Sequence, residues 1–414
     1  MEILVARQPI LDRNLKVYGY ELLYRSCDRS QTADGGEATL QVITNSFLSI
    51  GADKLLGGAK GFVNCPQSIL TDERIDLLPT SNTVLEVLEN VKPEPTVIAA
   101  CRRLKDRGFL LALDDFTGQP GYDALIELAD IIKVEFPALT LSARAKIRET
   151  YGKRGIRMLA EKVETRSEFL QALDMGYDYY QGYFFARPVI VKSREIRGYK
   201  ARYINILREI HKPEVDRACV ANLVRMEASL THRLLRYINS AAFAIRGQIS
   251  SVRTAMDRLG DDGTRKWLWL AALPQLAVDK PGELMTAAAI RARFCESIAP
   301  LAGLNDRPSD LFLMGMFSFL DAMLDRPLQE LLTELYLPKD IEEALLGAAA
   351  PGNRMAMVLD LVQAYEAADW ETSARLADQL QFPEQALGSL YLQSVAWADE
   401  IFSSNIAENQ PLAG

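Results

Sequence analysis

Eight short segments in the first 190 residues set the strongest limit on the fold. "ILVARQP", "VYGYELLYR", "GFVNC", "TVLEVLE", "LLALDDF", "DIIKVEF", "IRMLAEKV" and "YDYYQGYFF" are each apolar or β-rich and bounded by turn residues. The first two are joined by "ILDRNLK", too short for a helical crossover, so that pair is expected to be antiparallel. Later connections are long enough for helices, and helical periodicity shows in "ATLQVITNSFLSIG", "PTVIAACRRLKDRG" and "RSEFLQALDMG". The last two close on Gly, as helix C-termini often do. Eight strands with intervening helices predict an α/β barrel, a modified TIM-like (β/α)8 with one reversed strand.

Every strand segment from the second onward carries a polar or charged residue in or near its C-terminal half. These are Glu21, Asn64, Glu86, the pair Asp114 and Asp115, Lys133, Glu161 and Gln181. A lone Glu in a strand ordinarily faces solvent. In a barrel, however, the strand C-termini converge on one mouth, so seven such strands predict a single cluster. Carboxylates gathered this way repel one another unless cations neutralise them, and an all-oxygen set suits Mg²⁺ or Mn²⁺ better than zinc. Two adjacent aspartates can share two ions about 3.5–4 Å apart, the separation used for in-line attack of water on a phosphodiester.

Composition excludes several classes. A net charge of −8 gives no electrostatic reason to expect nucleic acid or an anionic membrane surface. The cysteines at 27, 65, 101, 219 and 295 have no CxxC spacing, which fits free thiols in a cytoplasmic protein. "MEILVARQPI" lacks the pattern of a signal peptide, and "WLWLAALPQLAV" is too short for a bilayer span, so no membrane insertion is expected. Neither a nucleophilic triad nor a Gly-rich phosphate loop is present.

Past residue 190 the pattern is helical only. "VIVKSREIRGYK" reads as a charged linker. In "SLTHRLLRYINSAAF", Leu230, Leu234, Leu235 and Ile238 share a face; in "SSVRTAMDRLG", Val252, Ala255, Met256 and Leu259 do, between Ser and Gly. "DLFLMGMFSFLDAMLD" is apolar nearly all round and predicts one buried central helix. Trp267 and Trp269 lie among leucines and read as core. The tail "SSNIAENQPLAG" is polar and is expected to fray.

The ordered motifs "QPILDRNLKVYGYELLYR", "FVNC", "LEVLE", "LDDF", "IIKVE", "LAEKVET" and "QGYFFARP" resemble those of EAL domains over about residues 3–190. The family consists of barrel phosphodiesterases that linearise cyclic di-GMP with divalent metals. The resemblance implies Mg²⁺ or Mn²⁺ as cofactor and Glu21, Asn64, Glu86 and Asp114 as ligands of a first metal. Asp114 would bridge to a second, beside Asp115 and Glu161. It makes Lys133 the residue orienting the attacking water and Glu161 the base. Gln181 falls at the metal-water cluster, and Gln8, Arg25 and Gln181 on the substrate side. Four departures stand out: "ELL" for EAL, "DDFTGQPGYDAL" after the paired aspartates, Lys162 where Gly is usual, and Glu135 where Asp is usual.

The second half resembles HDOD domains, helical relatives of HD phosphohydrolases without the metal ligands. This chain has only His211 and His232, and Ser318 and Phe319 stand where an active relative would carry His-Asp. The expected organisation is an EAL-like barrel (1–190), a linker (191–200), an HDOD domain (201–395) and a tail (396–414). The implied partners are cyclic di-GMP and proteins docking on the HDOD domain, with a homodimer left open. Two functions stay open: a working phosphodiesterase, or a degenerate EAL–HDOD receptor or scaffold that does not hydrolyse.

Overall fold

A computed structural model describes residues 3–26, 56–186, 198–212, 214–240, 243 and 248–406. The helix expected in "ATLQVITNSFLSIG" and most of the charged linker lie outside them. The eight expected strands are β1 (Ile3–Asp12), β2 (Val17–Ser26), β3 (Lys60–Cys65), β4 (Thr83–Val87), β5 (Leu110–Leu113), β6 (Ile131–Glu135), β7 (Arg157–Glu161) and β8 (Tyr179–Gln181). They close into a barrel in chain order. The reversed strand is β1, antiparallel to both β2 and β8, while the other neighbours run parallel.

The period-two alternation of a strand builds the barrel interior in two layers. Ile10, Phe62, Val84, Ala112, Ile131, Leu159 and Tyr179 pack together as an apolar floor. Two residues further along β3, β4, β6, β7 and β8 stand Asn64, Glu86, Lys133, Glu161 and Gln181, and Asp114 follows Ala112 just past β5. On the reversed β1 the step runs backwards, from Ile10 to Gln8. Strand β2 contributes Gly19 to the floor level, where a Cβ would lie 2.7 Å from the Lys60 carbonyl, and Glu21 above it. Burying each large floor side chain contributes about 1.5–3 kcal/mol. The polar layer therefore rests on the part of the barrel that holds itself together.

Helices of ten or more residues are numbered here. On the barrel's outside run α1 (Pro95–Asp106), α2 (Leu141–Gly152) and α3 (Arg166–Met175). Both sequence-expected ends hold: α3 starts in a capping box made by Thr165 and Glu168 and stops at left-handed Gly176, and α1 stops just before left-handed Gly108. The rest are α4 (Gly198–Ile210), α5 (Arg217–Met226), α6 (Ala228–Ile238), α7 (Val252–Leu276), α8 (Gly282–Ile298), α9 (Pro308–Phe317), α10 (Arg354–Glu366), α11 (Trp370–Leu380) and α12 (Ala386–Ile406). No helix among the described residues is long and apolar enough to cross a membrane.

Two compact units result, Met1–Arg187 with Leu361–Gly414, and Pro188–Asp360. The first is discontinuous in sequence, and the reason lies in β1. On β1, strand β8 pairs only with Ile10–Asp12, so the outer edge of the earlier half of β1 has no strand beside it among the described residues. An uncovered edge leaves backbone groups unpaired. Here α12 packs on β1, and the Tyr365 hydroxyl takes both groups of Val5, accepting from its N–H at 3.1 Å and donating to its carbonyl at 2.9 Å. Arg7 adds a 3.6 Å ion pair with Asp399. The helical domain expected from sequence ran to 395, whereas the second compact unit ends at Asp360. Helix α12 continues to Ile406, past the expected start of fraying at Ser403; residues 407–414 lie outside the described ones.

The second unit is helical throughout. In α6, Leu230, Leu234 and Ile238 are buried and Leu235 half-buried, as the periodicity predicts. Helix α7 begins at the Ser251 cap and kinks at left-handed Gly260, the residue expected to end it, before continuing through buried Trp267 and Trp269. The single central helix expected in "DLFLMGMFSFLDAMLD" is two. Helix α9 is buried from Leu311 to Phe317 but ends there, and a short helix, Leu320–Leu324, follows. Apolar periodicity alone does not reveal the break, where Ser318 makes one local hydrogen bond and one to a distant helix. Its hydroxyl donates to the Gly315 carbonyl at 2.7 Å and accepts from buried Arg291 at 2.9 Å. Gly315 lets α8 and α9 touch, since a Cβ there would lie 2.7 Å from Ala292 Cα.

His211 is buried inside the helical unit. Its Nε2 accepts from Trp269 Nε1 at 2.8 Å, and burial pushes its pKa from 6.5 down to about 3. The depressed folded-state value means that only the unfolded chain takes up this proton as pH falls below 6.5. The contribution is present above pH 6.5 and is lost on the way down towards pH 3. Between pH 7.5 and pH 5 we expect this group to cost about 2 kcal/mol, read as a fall in urea-unfolding free energy followed by tryptophan fluorescence. His211→Gln should flatten that part of the slope. Tyr365→Phe should lower the stability of the barrel unit by about 1–3 kcal/mol in the same assay, because two Val5 backbone groups lose their partner.

Candidate metal centre

The polar layer meets around one ammonium. Lys133 Nζ lies 2.7 Å from Glu86 Oε1, 2.8 Å from Asp114 Oδ1, 2.9 Å from Glu161 Oε1 and 3.7 Å from Glu21 Oε2. Lys133 and Glu86 are wholly buried, and Glu21, Glu161 and Gln181 nearly so. Gln181 Nε2 donates to Glu21 at 2.6 Å and to Gln8 at 3.3 Å, and Asn64 Nδ2 donates to the other Glu21 oxygen at 3.1 Å. Glu21, Asn64, Glu86, Asp114, Lys133, Glu161, Gln181 and Gln8 thus come together at one end of the barrel.

Four carboxylates share one buried positive charge, and their protonation diverges accordingly. Burial pushes Glu86 well above the usual carboxylate range; Lys133 opposes this, while Glu21 and Asp114 reinforce it. Burial likewise pushes Glu161 up to about 8 against the pull of Lys133. Glu21 is penalised by burial too, but Lys133, Gln181 and Asn64 outweigh that and hold it below its ordinary value. For Lys133 burial works downward, and Glu161, Glu21, Glu86 and Asp114 together raise it well above the ordinary value. Such opposed shifts among neighbours are characteristic of functional sites.

Asp115 turns out of the strand direction. It sits in the left-handed region (φ 41°), and burial together with Asp114 raises its pKa while Lys162 draws it down. Oxygens of Asp114, Asp115 and Glu89 lie within 4.8 Å of one another. Glu89 was not among the residues singled out from sequence. Its signal was present, three positions after Glu86 at the end of "LEVLE". The rewritten segment after Asp115 braces this corner: the Tyr122 hydroxyl donates to the carbonyls of Glu89 and Val91 at 3.2 and 3.1 Å, and Phe116 is buried edge-on against Tyr151.

A cleft of about 420 Å³ opens over these groups, lined by Gln8, Glu21, Leu23, Asp114, Asp115, Lys133, Pro137, Glu161, Lys162, Glu164 and Gln181–Tyr183. Arg25 is not in its lining. Its guanidinium donates to the Trp370 carbonyl at 2.7 Å and lies 3.8 Å from Glu384. Tyr183, at the rim, donates to the Glu366 carbonyl at 3.4 Å.

The donor set fits a hard divalent cation. Asn64 Oδ1, Glu86 Oε2, Glu161 Oε2 and Gln181 Oε1 are buried without a hydrogen-bond partner among the described residues. Unpartnered buried oxygens cost free energy that coordination would recover, and an all-oxygen set selects Mg²⁺ or Mn²⁺. No comparable cluster of acidic, His or Cys ligands occurs among the described residues of the helical unit, where His232 is exposed.

The EAL domain model matches residues 60–188, and the HDOD domain model matches residues 200–343. The chain is 34% identical over 418 residues to the uncharacterized protein YuxH of Bacillus subtilis, covering 98% of this chain and 100% of that one. It is 34% identical over 403 residues to the cyclic di-GMP phosphodiesterase CdgJ of Vibrio cholerae, covering 96% and 92%. Among solved structures, a calcium/cy-diGMP complex of Klebsiella pneumoniae BlrP1 superposes with a TM-score of 0.40 at 22% identity, over 45% of this chain and 56% of that one.

Lys133→Met should test how far the acid cluster depends on its internal cation. With no ammonium, the carboxylates stay buried and uncompensated, at a cost of about 3–5 kcal/mol near pH 8. Lys133 draws the Glu161 pKa down, so without it that carboxyl titrates higher still, and the deficit should shrink towards pH 6 as falling pH protonates it. Chemical unfolding of both forms at the two pH values, without added metal, reads this directly.

Proposed function

We propose, from the premise that this chain belongs to the family of EAL–HDOD two-domain proteins, that its barrel is a metal-dependent phosphodiesterase. It would open cyclic di-GMP to the linear dinucleotide, and the helical domain would serve as a non-catalytic regulatory or output module that docks proteins. One observation carries the reading: each barrel strand sends a polar side chain into the same layer, and oxygens there lack hydrogen-bond partners. Kinship to CdgJ, named a cyclic di-GMP phosphodiesterase, supports the substrate.

Glu21, Asn64, Glu86 and Asp114 would hold one divalent cation, and Asp114 with Asp115 and Glu161 a second. Bound there, such ions lower the pKa of water and offset charge on the phosphoryl oxygens. Glu161 would accept the proton of the attacking water, its carboxylate standing 2.9 Å from Lys133 in the same buried layer. Lys133 lies 2.9 Å from Glu161 and 2.8 Å from Asp114, so a water between these acids would have a fixed donor to orient it. The water oxygen bonds to phosphorus as one ester P–O bond breaks, and the ring opens to a linear dinucleotide with a terminal phosphomonoester. Gln8 and Gln181 supply polar contacts from the β1–β8 side of the cleft.

A receptor without hydrolysis is the competing reading, and the placement of Arg25 favours it. The arginine expected at substrate is tied to Trp370 and near Glu384 instead. Turnover and binding separate the two. With cyclic di-GMP and Mn²⁺, the wild-type protein should give linear product, while Glu161→Gln should lose at least about a hundredfold in kcat with affinity for the cyclic dinucleotide within a few-fold. Binding by both forms with no product above the Glu161→Gln level would establish the receptor.

A further inference from the structure

Lys162 does little for the fold. It follows Glu161 directly, its backbone is left-handed (φ 53°), and its side chain is 56% exposed. That conformation disfavours a residue with a Cβ by roughly 1–2 kcal/mol. The 3.0 Å ion pair with Glu135 is partly exposed, and such a pair returns little stability. A lysine held at this cost, outside the core, calls for another account.

Its position supplies one. The side chain lines the cleft shared by Asp114, Asp115 and Glu161, and its charge acts on Asp115, Glu135 and Glu161. Glu135 tethers the ammonium at the lip, and Asp115 lies within its field. The deep Lys133 is surrounded by acids from four strands, whereas Lys162 is half-exposed in the cleft lining and pairs with Glu135.

We propose that Lys162 is a tethered cation that competes with a divalent ion for the Asp114–Asp115 side of the site, so that this side holds metal more weakly than the Glu21–Asn64–Glu86 side. The inference rests on the metal-dependent reading above. A fixed positive charge within a Debye length of a dication opposes its binding, and the opposition fades as salt screens it. Occupancy of the outer side would then follow the concentration of the free metal.

The test is titration of the full-length protein with Mn²⁺ alone, no nucleotide, by calorimetry and by electron paramagnetic resonance of the bound ion. Lys162→Met keeps the chain length and removes the charge; Lys162→Arg keeps the charge. Wild type should show one tight and one weaker site. Lys162→Met should tighten the weaker site about tenfold and leave the tight one within about twofold, with the gain shrinking between about 0.05 and 0.5 M salt. Lys162→Arg should behave as wild type. An unchanged weaker site in Lys162→Met, or equal tightening of both sites, overturns the inference while leaving the phosphodiesterase reading intact. Absence of Mn²⁺ binding in every form overturns both.

Discussion

The ammonium of Lys133 holds the barrel's polar layer together. It reaches three carboxylates at hydrogen-bond distance and a fourth at 3.7 Å, all inside a protein interior that would otherwise expel them. Desolvating a carboxylate costs several kcal/mol even after relaxation, so one buried lysine cannot neutralise four. The remainder appears as raised pKa values at Glu86 and Glu161 and as buried oxygens without hydrogen-bond partners among the described residues. A site built this way is frustrated by design. It carries more negative charge than its own cation can answer, and the apolar floor beneath bears the cost.

That floor explains why so much could be read in advance. Phe62 and Asn64, Val84 and Glu86, Ile131 and Lys133, Leu159 and Glu161, and Tyr179 and Gln181 are each two residues apart on one strand. The period of two is local, so an apolar run with one polar intrusion announces both the core and the site. Helix ends were equally local: Gly176 and Gly260 stop or kink helices because they can take the left-handed backbone. Glu89 lies past the end of β4, where the period of two no longer marks it and only its spacing from Glu86 does. The division of "DLFLMGMFSFLDAMLD" depends on Arg291, a partner 27 residues away, which apolar pattern cannot register.

Longer-range features had still weaker signals. Arg25 sits in a motif that points to substrate, yet its guanidinium answers to Trp370, 345 residues on. Nothing near β1 indicates that helices beyond residue 360 will cover it. Those helices look like a continuation of the helical domain in composition and period; only the edge left open by a three-residue β8 explains where they go.

The bond between Val5 and Tyr365 spans 360 residues, and it has a consequence for synthesis. The chain is made from its N-terminus at roughly 5–20 residues per second, so some ten to forty seconds separate the end of the barrel strands from the emergence of Tyr365. Throughout that interval every strand of the barrel exists, yet the backbone of Val5 is open to solvent or to any other extended chain. This one edge of the nascent protein therefore stays open to mispairing after the other strand edges have closed, and the helical domain, made in between, sets the length of that delay.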